Sequence, residues 1–520
     1  SVVLFGAVQP AIAQLAVPSS HPGASISPPT TSILLTPADQ TLLRDWWNSP
    51  ATSYQAAVRN SVNGTANQGL SFSAPADLSS AQNQAGIVEA KALRWLLTGN
   101  GNTSAQDFVD VKNILTNYAR VTGGSAITSP LVGAGYFSAL DFISSGLTSA
   151  ERGDIITRLN NNVLSNLGTP TAYNNHAFIN YSGRGFYALL AGNESNLDSA
   201  MSNLQTKAYN TTTTDDGFMT DGDRYLNYTY GTSPNFLVAY KNGSGDAAGA
   251  AQYLQAAEQQ ARYALGIRMP NGMSPSFHNS DNTAIAIQEL SRMVSDPSLK
   301  AATVWYAEQL QGYEWFYTTS LNNDWTYSDY LWSTDYSAGV AAPDWSPTYF
   351  SGGQAKISVF KNDWGTASNY LATTAGIDGS SNSFTHWDTG AITVAANGAQ
   401  VIIEPGYARY IGVYIMGMWI GGDSPMPNTP PHEGTANNLD TKPAVEHNVL
   451  LARNTGTSDW GIGNNGNAAT QTTTDITITN RLDSAERGSY KGVADFSTLR
   501  ANYAGGGAGS NVQMRRSTAM

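Results

Sequence analysis

From about Leu35 to Trp332 the apolar positions recur at i, i+3, i+4 and i+7, the stripe of an amphipathic helix. The clearest runs are 85–97, 105–121, 150–167, 250–267 and 283–294, separated by clusters of Gly, Asn, Pro and Ser. No convincing strand interrupts them. A long succession of such helices predicts hairpins of helices closing into an incomplete (α/α) toroid rather than a four-helix bundle. After about Tyr349 the period falls to two. The runs 356–363, 369–376, 391–398, 399–406, 446–454 and 474–482 are short and rich in β-branched residues, with Gly, Asn and Asp turns between them. Asn397-Gly398 is a two-residue hairpin signal. This half predicts an antiparallel β-sandwich. The fold class is therefore multidomain α and β, with a toroid over 35–335, a boundary in the aromatic stretch 325–350, and a sandwich over 350–520.

Two ends of the chain add to this picture. Ser1–Gln14 resembles the apolar core and small-residue end of a secretory signal, and the Pro/Ser-rich residues after it read as a linker, so 1–34 are expected to be a signal-like remnant and linker. His21 falls in that linker and is set aside. The expected location is secreted or periplasmic. The last residues, MRRSTAM, do not read as the end of a finished β-domain.

Composition narrows the chemistry. The 520 residues include no cysteine, which excludes disulfides, thiolate metal sites and cysteine nucleophiles. Only 13% are charged and the formal charge is −12, so a general nucleic-acid binder is not expected and an anionic ligand needs a local basic cleft. No apolar run is long enough for a membrane span. Walker, Rossmann, nucleophile-elbow and zincin motifs are absent, and no organic cofactor is expected.

Histidine chemistry is confined to six positions. Asn174-Asn175-His176 stands at the start of a helical segment, 176–193. Read plainly, Asn caps the helix and His lies in its first turn. Further on, Arg224, Tyr225, Tyr228 and Tyr230 fall within seven residues. That is either an aromatic packing cluster or a phenol beside a guanidinium, which lowers the cost of phenolate and suits acid–base work.

The two constellations together resemble the catalytic core of the toroid polysaccharide lyases, the alginate lyases in particular: Asn-Asn-His, then Arg-x-x-x-Tyr-x-Tyr, with 54 positions from His176 to Tyr230. In the second half, Phe384-Thr-His386-Trp-Asp388, the run from Val401 to Tyr410, and Glu446-His447-Asn448 resemble the β-domain of the heparinase II/III-like lyases, and Ala408-Arg409-Tyr410 looks most like the oligoalginate lyases. The resemblance covers roughly residue 35 to the end. It implies β-elimination on a uronic-acid polysaccharide, with alginate the preferred polymer and a glycosaminoglycan or glucuronan the alternative. Asn175 and Arg224 would hold and neutralise the uronate carboxylate, His176 would take the C5 proton or assist that neutralisation, and Tyr230 or Tyr228 would protonate the leaving oxygen. Asn174, Arg184, Tyr225, His278 and Arg409 are the expected substrate contacts, with Lys356 a further cleft cation. The resemblance also implies one structural zinc ion on His386, Glu404 and His447, although the acidic ligand is more often Asp and Glu404 is one methylene longer. Where heparinase-type members often carry a second histidine two residues before the metal histidine, this chain has Phe384, which shifts the weight of base chemistry to His176. Two other classes remain. An (α/α)-toroid glycoside hydrolase needs paired carboxylates, for which Asp216, Asp221 and Asp223 supply one side but no partner stands out. A non-catalytic glycan-binding protein would use the Trp and Tyr residues for stacking.

Overall fold

The computed structural model describes residues 15–23, 25–99, 101–124, 126, 128–170, 175–210, 216–219, 222, 223, 226, 233–275, 277, 287–309, 334–350, 357–374 and 391–402, together with the strands 413–415, 418–420, 471–475, 496–504 and 511–519. The helical half comprises α1 (Pro37–Asn48), α2 (Ser53–Ala66), α3 (Leu78–Thr98), α4 (Gln106–Asn117), α5 (Thr128–Ile143), α6 (Ser149–Asn162), α7 (Asn175–Ala191), α8 (Glu194–Leu204), α9 (Ser233–Gly243), α10 (Ala247–Ile267) and α11 (Pro297–Gln309). Several starts are written in the sequence. Thr36 with Asp39, Thr52 with Gln55, Asp77 with Ser80 and Thr148 with Glu151 form reciprocal capping boxes that satisfy otherwise orphaned N–H groups.

Helices α3, α5, α7 and α9 form a parallel inner set. Leu78 at the start of α3 meets Gly124 just ahead of α5, and Ala85 meets Gly135 one level deeper. The Tyr136 hydroxyl donates to Gln84 Oε1 at 2.9 Å across the same interface. Pro130 lies against Gly183, while Phe137 packs on Phe186 and Tyr187, which sets α7 parallel to α5. A Cβ on Gly185 would lie 2.6 Å from the Phe236 ring, so α7 and α9 approach as closely as glycine permits. The outer helix α10 runs back antiparallel to α9, through Phe236–Tyr253 and Tyr240–Tyr253 ring contacts and a 2.6 Å bond from the Tyr240 hydroxyl to Asp246. The first turns of the inner helices and the end of α10 therefore share one rim. The ring closes where Arg292 meets Asp39 of α1 at 2.6 Å and Thr52, the N-cap of α2, donates to Glu308 of α11. Among the described residues, no helix is long and apolar enough to cross a membrane.

The expected linker differs from what is found. Residues 15–23 and 25–36 form a strap laid across the helices. Leu15, Val17, His21, Ile33, Leu34 and Leu35 are buried. His21 donates from Nε2 to the Ser244 carbonyl at 3.0 Å, and its own N–H donates to Asp198 at 2.7 Å. Deeper in, buried Asp141 of α5 accepts from the backbone of Ile33 and Leu34 at 2.8 and 3.1 Å and from the Ser32 hydroxyl. Apolar residues at 15, 17 and 33–35 cover the helices between polar spacers, which a Pro/Ser-rich composition conceals. The run 283–294 also differs: among its described residues Gln288–Met293 is a 3-10 turn, held by Arg292 on Asp39 and by the Asp335 N–H on Ser291.

Among the described residues of the second half, every strand pair is antiparallel. Strands β1 (Tyr349–Phe350), β2 (Ile357–Lys361), β3 (Tyr370–Thr374), β4 (Ile392–Ala396) and β5 (Ala399–Ile402) form one sheet in sequence order. The β4–β5 turn is the expected Asn-Gly hairpin, with φ of 49° at Asn397 and 79° at Gly398, as a type I′ turn requires. Val413–Ile415 (β6) pairs with Met418–Ile420 (β7), and Gln471–Asp475 (β8), Phe496–Ala504 (β9) and Asn511–Ala519 (β10) make a third sheet in the order β10-β9-β8. Strand β10 pairs along its length with β9.

The first sheet docks on the rim at the end of α10. Lys361 of β2 is buried and its Nζ donates to the carbonyls of Leu265, Gly266 and Arg268 at 3.2, 3.0 and 3.1 Å. These are the orphan acceptors of a helix C-terminus, where a cation is also favoured by the helix dipole. Tyr370 of β3 donates to the Ile267 carbonyl at 2.8 Å. Arg268 stacks over Trp305 and Tyr306 of α11.

Candidate active site

The rim carries the first candidate residues. Asn175 and His176 form the first turn of α7, and Asn175 is buried while His176 is half-buried. Burial pushes the His176 imidazole below its ordinary pKa of 6.5, so the neutral, proton-accepting form is favoured at neutral pH. The first turns of the parallel inner helices present their positive dipole ends at this rim, which offsets locally the negative charge of the whole chain.

Arg184 lies two turns further along α7. Its Nε donates to Asn180 Oδ1 at 2.7 Å and its Nη2 to the Gly168 carbonyl at 2.7 Å. Asn180 donates to the carbonyls of Leu167 and Gly168 as well. The pair therefore holds residues 167 and 168, ahead of α7. Arg184 is half-buried, and burial lowers its pKa somewhat without removing its charge.

The second constellation is described in part. Gly217 takes φ of +84° and packs on the backbone of Gln259 and Gln260 of α10, where a Cβ would clash with the Gln259 oxygen. Phe218, Met219 and Leu226 are buried. A turn closes from the Gly222 N–H to the Met219 carbonyl at 2.9 Å. Asp223 then accepts a 2.6 Å hydrogen bond from the Tyr263 hydroxyl, one helical turn beyond Gln259 on α10. Asn174, Arg224, Tyr225, Tyr228, Tyr230, His278, Lys356, Arg409 and the expected metal ligands His386, Glu404 and His447 lie outside the described residues. Among the described residues no group of three or more His, Asp or Glu could hold a metal ion.

Sequence reasoning passed over three features of this rim. Lys361 reads as a strand-end lysine in a polar turn, and nothing in the sequence marks it as buried. Tyr263 reads as one more apolar position of an amphipathic helix. Asp223 stood out only as a spare carboxylate.

No family profile matches the chain, and no curated protein does. Solved structures do. A heparinase III crystal structure is 15% identical with a TM-score of 0.44, over 96% of this chain and 71% of its own. A heparan sulfate lyase from Pedobacter heparinus is 11% identical with a TM-score of 0.45, over 92% of this chain and 71% of its own. A second heparinase III is 12% identical with a TM-score of 0.43, over 96% of this chain and 70% of its own.

Proposed function

We propose that the protein is a polysaccharide lyase that cleaves a uronic-acid polymer by β-elimination, acting outside the cytoplasm or in a periplasm. The observation that carries this reading is the placing of Asn175 and His176 in the first turn of an inner toroid helix, with the imidazole biased toward its neutral form. A base at that rim meets a substrate where helix dipoles favour its carboxylate.

In the proposed reaction the C5 proton leaves to a base, the C4–O4 bond breaks, a C4–C5 double bond forms, and the departing O4 takes a proton. The C5 proton is acidic enough only when the neighbouring carboxylate is neutralised, which falls to the Asn175 amide and the Arg224 guanidinium. In an anti elimination His176 is the base and Tyr230 or Tyr228 the acid. In a syn elimination one tyrosine serves both roles and His176 assists at the carboxylate. Asn174, Tyr225, His278 and Arg409 complete the substrate contacts in this reading. Arg184 contributes by holding Gly168 ahead of α7.

The motif favours alginate. Heparan sulfate, the polymer after which the Pedobacter heparinus lyase is named, is the competing polymer. Ultraviolet absorbance of the conjugated uronate during incubation with polymannuronate, polyguluronate, glucuronan and heparan sulfate tests the reading. A rise on one polymer is expected. New reducing ends with no absorbance would make the protein a hydrolase, and binding with neither would make it a glycan-binding protein.

His386, Glu404 and His447 offer two imidazoles and a carboxylate, a donor set that suits zinc. In this reading the ion would tie strands of the β half together and take no part in the elimination. Elemental analysis of the purified protein should give one zinc per chain, lost in His386→Ala.

A further inference from the structure

We infer that Asp223 and Tyr263 form a positioning pair that anchors the chain at residue 223, immediately before Arg224, to the last turns of α10. This rests on the proposed lyase reaction, in which the segment that follows supplies the carboxylate-neutralising arginine and the acid tyrosine. Two anchors hold the approach to it. Gly217 is seated on the Gln259 backbone, with no room for any side chain, and Asp223 is bonded to Tyr263, four residues and one turn further along α10. Both members of the pair are buried to 1% exposure or less. A 2.6 Å hydroxyl-to-carboxylate contact is in the range of a charge-assisted hydrogen bond. The Tyr263 ring is itself held edge-on by Phe218 and by Tyr349 of β1. Burial and the neighbouring carboxylate keep the phenol protonated, so it remains a donor across the working pH range.

Position matters because Arg224 follows Asp223 directly in the chain. A backbone fixed at residue 223 restricts where the guanidinium can start. The same end of α10 receives Lys361 and Tyr370 from the sheet. Residues 263–268 of α10 and its end therefore hold both Asp223 and the sheet. Neither Asp223 nor Tyr263 needs to touch substrate for this role.

The test uses the full chain on the polymer that gives the ultraviolet signal, with Tyr263→Phe, Asp223→Asn, Asp223→Ala and the double variant Tyr263→Phe/Asp223→Ala. Tyr263→Phe and Asp223→Ala are expected to lower kcat roughly 10- to 100-fold with KM nearly unchanged, as a small misplacement of reacting groups does. Asp223→Asn keeps an acceptor oxygen for the phenol and is expected to stay nearer wild type. The double variant should be no worse than either single one, because one interaction is removed once. An active wild type whose Tyr263→Phe form keeps its kcat, or whose Asp223→Asn form is as poor as Asp223→Ala, overturns the positioning role alone. Additive losses in the double variant overturn it too. A wild type that makes no unsaturated product on any polymer overturns the lyase reading and the pair's role with it. Circular dichroism of each variant at the assay temperature separates loss of folded protein, which lowers the apparent kcat of the whole sample by its unfolded fraction, from loss of position.

Discussion

Replacing Lys361 with methionine tests how the sheet is held to the helical rim. The lysine makes three hydrogen bonds to the last carbonyls of α10 and lies 4.1 Å from the centre of the Trp364 ring. Methionine fills a similar volume but leaves the Gly266 and Arg268 oxygens without that donor; Leu265 keeps the Arg268 N–H at 3.4 Å. Charge-assisted bonds contribute about 1.5–3 kcal/mol each, and returning a buried ammonium to water recovers several kcal/mol, so the net loss is on the order of 3 kcal/mol. That corresponds to a roughly 100-fold larger population of the undocked sheet. Amide hydrogen exchange along residues 263–268 and β3 reads that population directly. The pH dependence adds a second check. Burial and nearby Arg268 press the Lys361 pKa well below 10.5. The unfolded chain then binds more protons between the native and unfolded values, so this group's contribution to stability rises with pH across that window and is lost as pH falls through the native pKa. The wild-type advantage over Lys361→Met should therefore grow toward alkaline pH. Exchange rates in Lys361→Met indistinguishable from wild type, with no such growth, would refute the capping argument.

Other expectations follow from single sites. Asp141 has its carboxyl pushed up to about 6 by burial beneath the strap, so the native state holds a proton that the unfolded chain releases near 3.8. Its stabilising effect is present below that value and lost as pH rises through 6, a change of about 3 kcal/mol. In Asp141→Asn, denaturant midpoints measured from pH 4 to 7 should lack this slope. Gly185→Ala places a Cβ 2.6 Å from the Phe236 ring and should cost about 1–3 kcal/mol in a thermal melt, through forced separation of α7 and α9. His176→Ala should lower kcat by roughly 100-fold or more, and the acid limb of the wild-type rate profile should fall below 6.5, because burial favours the neutral imidazole.

Much of the architecture was legible from periodicity. The stripes at 85–97, 105–121, 150–167 and 250–267 fall on α3, α4, α6 and α10, and the Asn397-Gly398 turn has the positive φ values its dipeptide demands. Local signals of this kind report directly on local geometry. The strap was not legible, because a Pro/Ser-rich segment carries no period and its burial depends on Asp141 and Ser244, far away in sequence. Lys361 failed for the same reason: only the three-dimensional meeting of β2 with the end of α10 makes a lysine the fitting residue. At the candidate site, the Asn-His pair could be read as the start of a helix, and the structure places it so. Which rim that helix start occupies, and that α10 ends there beside Asp223, follow from helix packing that no motif encodes.

Mass analysis of the products, run alongside the absorbance assay on the uronate polymers, addresses the elimination most directly. The account predicts oligosaccharides whose new non-reducing ends are lighter by one water than hydrolytic ends and absorb in the ultraviolet, with both signals lost in His176→Ala. Products of full hydrolytic mass, or unsaturated products formed equally well without His176, would contradict it.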